Sequence, residues 1–211
     1  MSQRPNRVFL VRHGETEWSV TRQHTGRTDI PLTENGRRQA ERLGARLAGE
    51  RFALVLVSPL KRALETARLA GFSIGEQAIG EQTIGKQKSV AEVEPDLVEW
   101  DYGAYDSLTA VDIRRERPGW TPWHGGFPGG ETLADLEARA DRVLARIRSV
   151  DGDVALFAHG HILRIIAARW LEKPAVDGSR YYLATATLSV LGWERETAVI
   201  ERWNEACHLE G

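Results

Sequence analysis

Val8-Phe9-Leu10-Val11-Arg12-His13-Gly14 sets four apolar residues directly against an arginine, a histidine and a glycine. A run that short, bounded by polar and turn-forming residues, reads as a buried strand with polar chemistry at its carboxyl end. The same grammar returns twice. Phe52 to Val57 is apolar and β-branched, and Ser58-Pro59 after it reads as an N-cap with proline at the first helical position, opening a helix to about Ala70. Asp153 to Ala158 is a third run, ending at His159-Gly160-His161, where a helix to about Leu171 begins.

Working outward, a loop runs to Pro31 and Thr33 then caps a helix to about Glu50, with Ala40, Leu43 and Leu47 on one face. Thr132 opens another, to about Ser149, whose apolar positions are Leu133, Leu136, Ala140, Val143 and Ile147. Thr185 to Trp193 and Thr197 to Trp203 read as two further strands. Strands alternating with helices imply an α/β fold with an open, mostly parallel sheet covered on both faces. At 211 residues, with no linker in view, a single domain over 1–211 suffices.

One stretch departs from the pattern. Ile74-Gly75-Glu76-Gln77-Ala78 is followed by two near-copies, ending at Lys88. Three repeats are too few for a solenoid core, and glycine every fifth residue weakens helix and strand alike. A flexible surface insertion at about 74–88 is the expectation.

Composition narrows the function classes. Hydrophobic residues at 42% and charged residues at 27% are ordinary for a soluble globular chain, and the net charge of −2 does not suggest a nucleic-acid partner. Arg37, Arg38, Arg42 and Arg46 are interspersed with glutamates and read as a solvated helix face. The only cysteine, Cys207, excludes an intrachain disulfide. The apolar run near the N-terminus is too short for a signal-peptide core or a membrane span, so a cytoplasmic location without membrane association is expected.

In open α/β sheets the site lies beyond the carboxyl ends of the strands. Arg12 and His13 follow the first strand, Arg62 the second by one helical turn, and His159 the third. Two guanidiniums present forks that match phosphate oxygens, and a helix start adds backbone N–H groups. An imidazole among these cations has its protonated form disfavoured, so it stays neutral and nucleophilic. The second imidazole can hydrogen-bond the transferring group. A leaving alkoxide needs a proton, and Glu99 and Asp101 in Leu97-Val98-Glu99-Trp100-Asp101-Tyr102-Gly103 are both candidates, with Glu99 in apolar surroundings. Spacing does not choose between them. No Walker-type loop and no Gly-x-Ser-x-Gly elbow is present, and His159 with His161 lacks partners at metal-ligand spacing.

The signature Leu10-Val11-Arg12-His13-Gly14-Glu15-Thr16-Glu17-Trp18 continues through Thr25-Gly26-Arg27-Thr28-Asp29-Ile30-Pro31-Leu32-Thr33-Glu34-Asn35-Gly36. Ser58-Pro59-Leu60-Lys61-Arg62-Ala63, Thr66-Ala67, Glu99 to Gly103 and Ala158-His159-Gly160-His161 follow in order. Together they resemble the histidine phosphatase superfamily, branch 1, from about residue 8 to residue 170. The resemblance implies a three-layer αβα sandwich of the phosphoglycerate mutase-like kind. It implies His13 as the phosphorylated nucleophile, Glu99 as proton donor and then base, and Arg12, Arg62 and His159 as holders of the phosphoryl group. Ser19, Thr25, Gly26, Tyr102 and Gly160 would line the substrate cleft, with no metal and no cofactor.

Glu99 to Tyr105, with Pro118-Gly119-Trp120, Trp123 and Gly129-Gly130-Glu131-Thr132, is most similar to small acid phosphatases and sedoheptulose-bisphosphatase-like members. Two positions depart from the wider pattern. Ser19 stands where many members carry Asn, as it does in the acid-phosphatase-like branch, and Asp106-Ser107 replaces a usual Glu-Gly. The expected activity is hydrolysis of small phosphomonoesters, sugar phosphates among them, at a mildly acidic optimum. A phosphoglycerate mutase and a non-catalytic phospho-ligand binder are the alternatives, disfavoured by the polar tail after Trp203, which offers no lid, and by the retained nucleophile and acid. Arg114 and Arg115 are candidates for a second substrate phosphate or for a solvated face. His24, His124 and His161 either rim the cleft or are structural. Oligomeric state stays open, a homo-oligomer included.

Overall fold

The computed structural model describes residues 6–75 and 90–210. Seven strands form one sheet in the order β3-β4-β2-β5-β1-β6-β7. They are β1 Val8–Arg12, β2 Leu54–Val57, β3 Ser73–Ile74, β4 Val90–Val93, β5 Val154–Ala158, β6 Leu188–Glu194 and β7 Thr197–Glu205. The first five in that spatial order run parallel, and β6 and β7 close the other edge antiparallel. The sheet is therefore mostly parallel, as the strand–helix alternation predicts.

Period-two alternation distributes β1 between two cores. Val8 and Leu10 pack with Leu136, Ala140, Val143 and Ile147 of α6 (Leu133–Arg148) and with Ile162, Leu163 and Ile166 of α7 (Gly160–Trp170). Phe9 and Val11 face the other way, onto Leu43 and Leu47 of α2 (Glu34–Leu47) and Ala63 and Ala67 of α3 (Lys61–Leu69). Helix, sheet and helix thus form three layers, and the short α4 (Ala110–Glu116) and α5 (Pro122–Gly125) precede α6 in the chain. Thr33 caps α2 through Gly36 N–H, and Thr132 closes a capping box with Asp135 at the start of α6.

Three local readings need correction. Ser58 does not cap α3: the cap position is Leu60, and the Ser58 hydroxyl instead meets the His159 ring. The expected loop before Pro31 contains α1 (Glu17–Thr21), which buries no residue and is closed by a Thr16–Ser19 capping box. It has no apolar stripe for periodicity to detect. Strands β3 and β4 also escape the reading, because one has two residues and the other shows three of its four residues to solvent. Of the expected insertion, Ile74 ends β3, and residues 76–88 lie outside the described residues. No helix among the described residues is long and apolar enough to cross a membrane.

Register positions the polar ends. Val11 of β1 and Val57 of β2 are both paired with Phe157 of β5. The residues that follow therefore leave the sheet at one level, with His13 N–H donating to the Ala158 carbonyl at 3.0 Å and Ser58 N–H to the Phe157 carbonyl at 2.9 Å.

Candidate active site

His13 sits just past β1, 5% exposed, and its tautomer follows from its partner. Nδ1 lies 2.7 Å from the Gly14 carbonyl, which only accepts, so Nδ1 carries the proton and Nε2 keeps its lone pair. Burial, followed by the Arg62 and Arg12 cations, pushes this imidazole well below the ordinary histidine range. The ring is neutral and has one unprotonated nitrogen. The adjoining backbone is fixed as well. Gly14 N–H donates to Thr66 Oγ1 at 3.0 Å, and a Cβ on Gly14 would meet the Gly36 carbonyl oxygen at 2.5 Å. Only a glycine fits where this turn passes the head of α2.

His159, fully buried, stands beside it with ring centroids 5.2 Å apart. Arg62 Nε–H donates to His159 Nδ1 at 3.1 Å, which leaves the ring proton on Nε2, donated to Ser58 Oγ at 2.7 Å. Burial, with Arg62 next, keeps this imidazole neutral too. Arg62 is itself fully buried, and its Nη groups donate to the carbonyls of Thr28, Thr25 and Gly26 at 2.9 to 3.1 Å. The guanidinium expected to fork onto a phosphate ties the 25–28 loop to His159. At the N-terminus of α3, Lys61 N–H donates to Asp29 Oδ1 at 2.7 Å. Arg12 is the more open cation. It lines the cleft, its Nη1 donates to the Leu183 carbonyl at 2.6 Å, and its buried Nε–H has no partner among the described residues.

Glu99 faces this group across Gly160. A Cβ built on Gly160 would lie 3.6 Å from Arg12 Cζ and 3.6 Å from Glu99 Oε2, so the glycine keeps the space between cation and carboxylate open. The expected apolar wall around Glu99 is replaced by hydrogen-bond donors. Its Oε1 accepts from Trp100 N–H at 3.0 Å and Ile162 N–H at 3.1 Å, and Oε2 from His161 N–H at 3.0 Å. Two of these donors belong to the first turn of α7. Asp101 is turned elsewhere: it pairs with Arg27 at 2.9 Å and is not among the cleft-lining residues. Geometry therefore separates two carboxylates that spacing left equal.

The cleft encloses about 580 Å³ and is lined by Arg12, His13, Ser19, Thr25, Glu99, Tyr102 and Gly160 among others. Arg62, His159 and Gly26 lie behind its surface. Gly26 is fully committed, its N–H to Asp106 Oδ1 and its carbonyl to Arg62. Ser19 lines the wall, but its hydroxyl donates to the Thr16 carbonyl at 2.8 Å within the capping box of α1. Tyr102 is buried, and burial, with Glu99 adding, pushes its phenol well up. It keeps its proton and donates it to His161 Nδ1 at 2.6 Å. His24 and His161 rim the cleft, whereas exposed His124 does not. Arg114 caps the Trp120 carbonyl and Arg115 pairs with Asp112, so neither reaches the cleft.

Two contributors were not read as site residues in the sequence. Ser58 looked like a helix cap, although its place at the end of β2 is the same signal that marked Arg12 and His159. Ala186, at φ 55°, shares its N–H between the carbonyls of Arg12 (3.1 Å) and His13 (3.0 Å), a contact no local pattern announces. Asp106 braces Gly26 and Thr28, and Ser107 stands at φ 71°, where glycine is at ease.

The arrangement offers a neutral imidazole with one free nitrogen, an open guanidinium beside it and a carboxyl group opposite. The sequence pattern of the histidine phosphatase superfamily (branch 1) matches residues 8–206. An acid phosphatase of Mycobacterium tuberculosis is 39% identical over 208 residues, covering 95% of this chain and 94% of that protein. The sedoheptulose 1,7-bisphosphatase of Saccharomyces cerevisiae is 33% identical over 189 residues, 78% of this chain and 67% of the yeast protein. Among solved structures, an open reading frame of Mycobacterium tuberculosis superposes with a TM-score of 0.83 at 37% identity, covering 95% of this chain and 98% of that one.

Proposed function

The chain belongs to branch 1 of the histidine phosphatase superfamily, and from that footing we propose that it hydrolyses small phosphomonoesters through a phosphohistidine on His13. The observation that carries this reading is the His13 ring: neutral, with Nδ1–H spent on Gly14 and Nε2 left as a nucleophile next to Arg12. Nε2 attacks phosphorus, the ester oxygen leaves, and Glu99 supplies its proton. Water then attacks the phosphohistidine with Glu99 taking a proton back, and inorganic phosphate departs.

Arg12 and Arg62 provide the positive charge that the transferring group needs, so these steps require no metal. Arg62 acts mainly at one remove, since its Nε–H holds the His159 ring and its other donors hold the 25–28 loop. Phosphorylated sugars fit a cleft of about 580 Å³ walled by Trp18, His24, Tyr102 and Tyr182, aromatic faces interspersed with Gln23, Arg22 and Arg164. A panel of phosphorylated metabolites assayed for free phosphate tests the reading. Turnover of sugar phosphates supports it, and rapid isomerisation of 3-phosphoglycerate with a bisphosphoglycerate primer, without phosphate release, would replace it by a mutase.

A further inference from the structure

Away from the cleft, the chain's single cysteine lies in a cluster the phosphatase reading does not use. Glu205, Cys207 and His208 each bring one ligand-capable atom to within 4.8 Å of the others. We propose that these three residues form a binding site for a borderline divalent cation of the zinc class, with a water completing the tetrahedron. Thiolate, imidazole and carboxylate are the ligand types zinc takes, and sites with three protein ligands keep a fourth position for water.

The histidine is prepared for the role. His208 Nε2 lies 2.8 Å from the Ala186 carbonyl, so Nε2 carries the proton and Nδ1 presents a lone pair. That Nδ1 is buried and has no hydrogen-bond partner among the described residues. A buried acceptor left unmet is costly, and a metal ion would satisfy it. Donation of the second ring N–H to a backbone carbonyl is also the arrangement that orients metal-bound histidines.

The other two ligands are positioned to follow. Cys207 is exposed, and its Sγ–H points to Glu205 Oε1 at 3.5 Å, so a metal replacing that proton would be shared by sulfur and carboxylate. Glu205 is steadied by Arg46 at 2.7 Å and Arg202 at 3.2 Å. A carboxylate has about four lone-pair sites, so these two contacts leave room for a cation. The thiol releases its proton to solvent as the S–metal bond forms, and the thiolate and carboxylate charges offset the nearby guanidiniums. Backbone closure comes from Arg42 Nη1, which donates to the Leu209 carbonyl at 2.8 Å and pins the terminal turn to α2.

The test uses the reduced, tag-free protein in metal-free buffer, titrated with Co²⁺ as a spectroscopic probe and then with Zn²⁺. The expected result is one equivalent of Co²⁺ giving a thiolate charge-transfer band and a tetrahedral visible spectrum, displaced by Zn²⁺. Cys207→Ser should abolish the band, and His208→Gln should weaken Zn²⁺ binding by about tenfold or more, as losses at metal sites do. Cys207 is exposed, so its variant should keep native circular dichroism and native phosphatase activity without metal. Binding with no thiolate band, or Zn²⁺ affinity unchanged in Cys207→Ser, would overturn the proposal while leaving the phosphatase reading intact.

Discussion

The cleft has two halves built by different means. One half, Arg12, His13, Ser58, Arg62 and His159, hangs from the carboxyl ends of β1, β2 and β5 and from the first turn of α3, where sheet register fixes its level. The other half hangs mostly from loops, with Glu99, Tyr102 and His24 outside any helix or strand and His161 in the first turn of α7. It is held by backbone donors from α7 and by ring packing of Trp100, Tyr102, Trp120, Trp123 and Phe127. In the first half Arg62 and His159 spend their donors internally, whereas in the second aromatic rings fill the space behind the side chains. In the proposed reading, covalent chemistry lies on the sheet side and proton transfer and substrate choice on the loop side.

Removing the nucleophile should cost most. His13→Ala is expected to lower kcat by a factor on the order of 10⁴ to 10⁶, as loss of a covalent nucleophile does elsewhere. Steady-state phosphate release measures it. Next comes Arg62→Ala, which strands the His159 Nδ1 acceptor and three loop carbonyls in a buried site. A loss of about 3 kcal/mol or more in denaturant unfolding, together with a large fall in kcat, is expected. If stability were unchanged, the sheet side would not be held as described.

On the loop side, Glu99→Gln should cut kcat by about 10²–10⁴ for alkyl phosphates. For an aryl phosphate, whose leaving group scarcely needs a proton, the loss should be much smaller. Equal losses for both would remove Glu99 from the proton-transfer role. Both halves hold neutral histidines, buried His13 and His159 on one side and half-buried His161 on the other, all pushed well below 6.5 chiefly by loss of solvation. A lowered folded pKa means the unfolded chain binds more protons in acid. Stability contributed this way is therefore complete above pH 6.5 and falls as pH drops below it, by about 1.4 kcal/mol per pH unit per histidine. Ring-nitrogen NMR should show none of the three titrating near 6.5. The smallest expected effect is Ser107→Gly, which relieves a φ of 71° and should raise stability by about 1 kcal/mol with kcat unchanged.

The same contrast explains what the sequence made legible. Apolar runs ending in Arg12-His13 and His159 are local signals, and strand ends in an open parallel sheet must converge, so most of the sheet side could be read directly, whereas Ser58 passed for a helix cap. The contacts of Arg62 to the carbonyls of Thr25, Gly26 and Thr28 were not legible, because those carbonyls come from a loop without periodicity. Asp101 and Glu99 could not be separated, since their segment is not a strand and the choice depends on Arg27 and on the first turn of α7. Ala186 and the Tyr102–His161 pair, contacts over long sequence separations with no pattern of their own, were visible only in three dimensions.

The covalent step is open to direct observation. Rapid quenching of the enzyme during turnover of an aryl phosphate, followed by peptide mass spectrometry under alkaline conditions that preserve phosphohistidine, should find one phosphoryl group on the His13 peptide, attached at Nε2, and none in His13→Ala. Full turnover with an unmodified His13, or a phosphoryl group on His159 or His161 instead, would contradict the account.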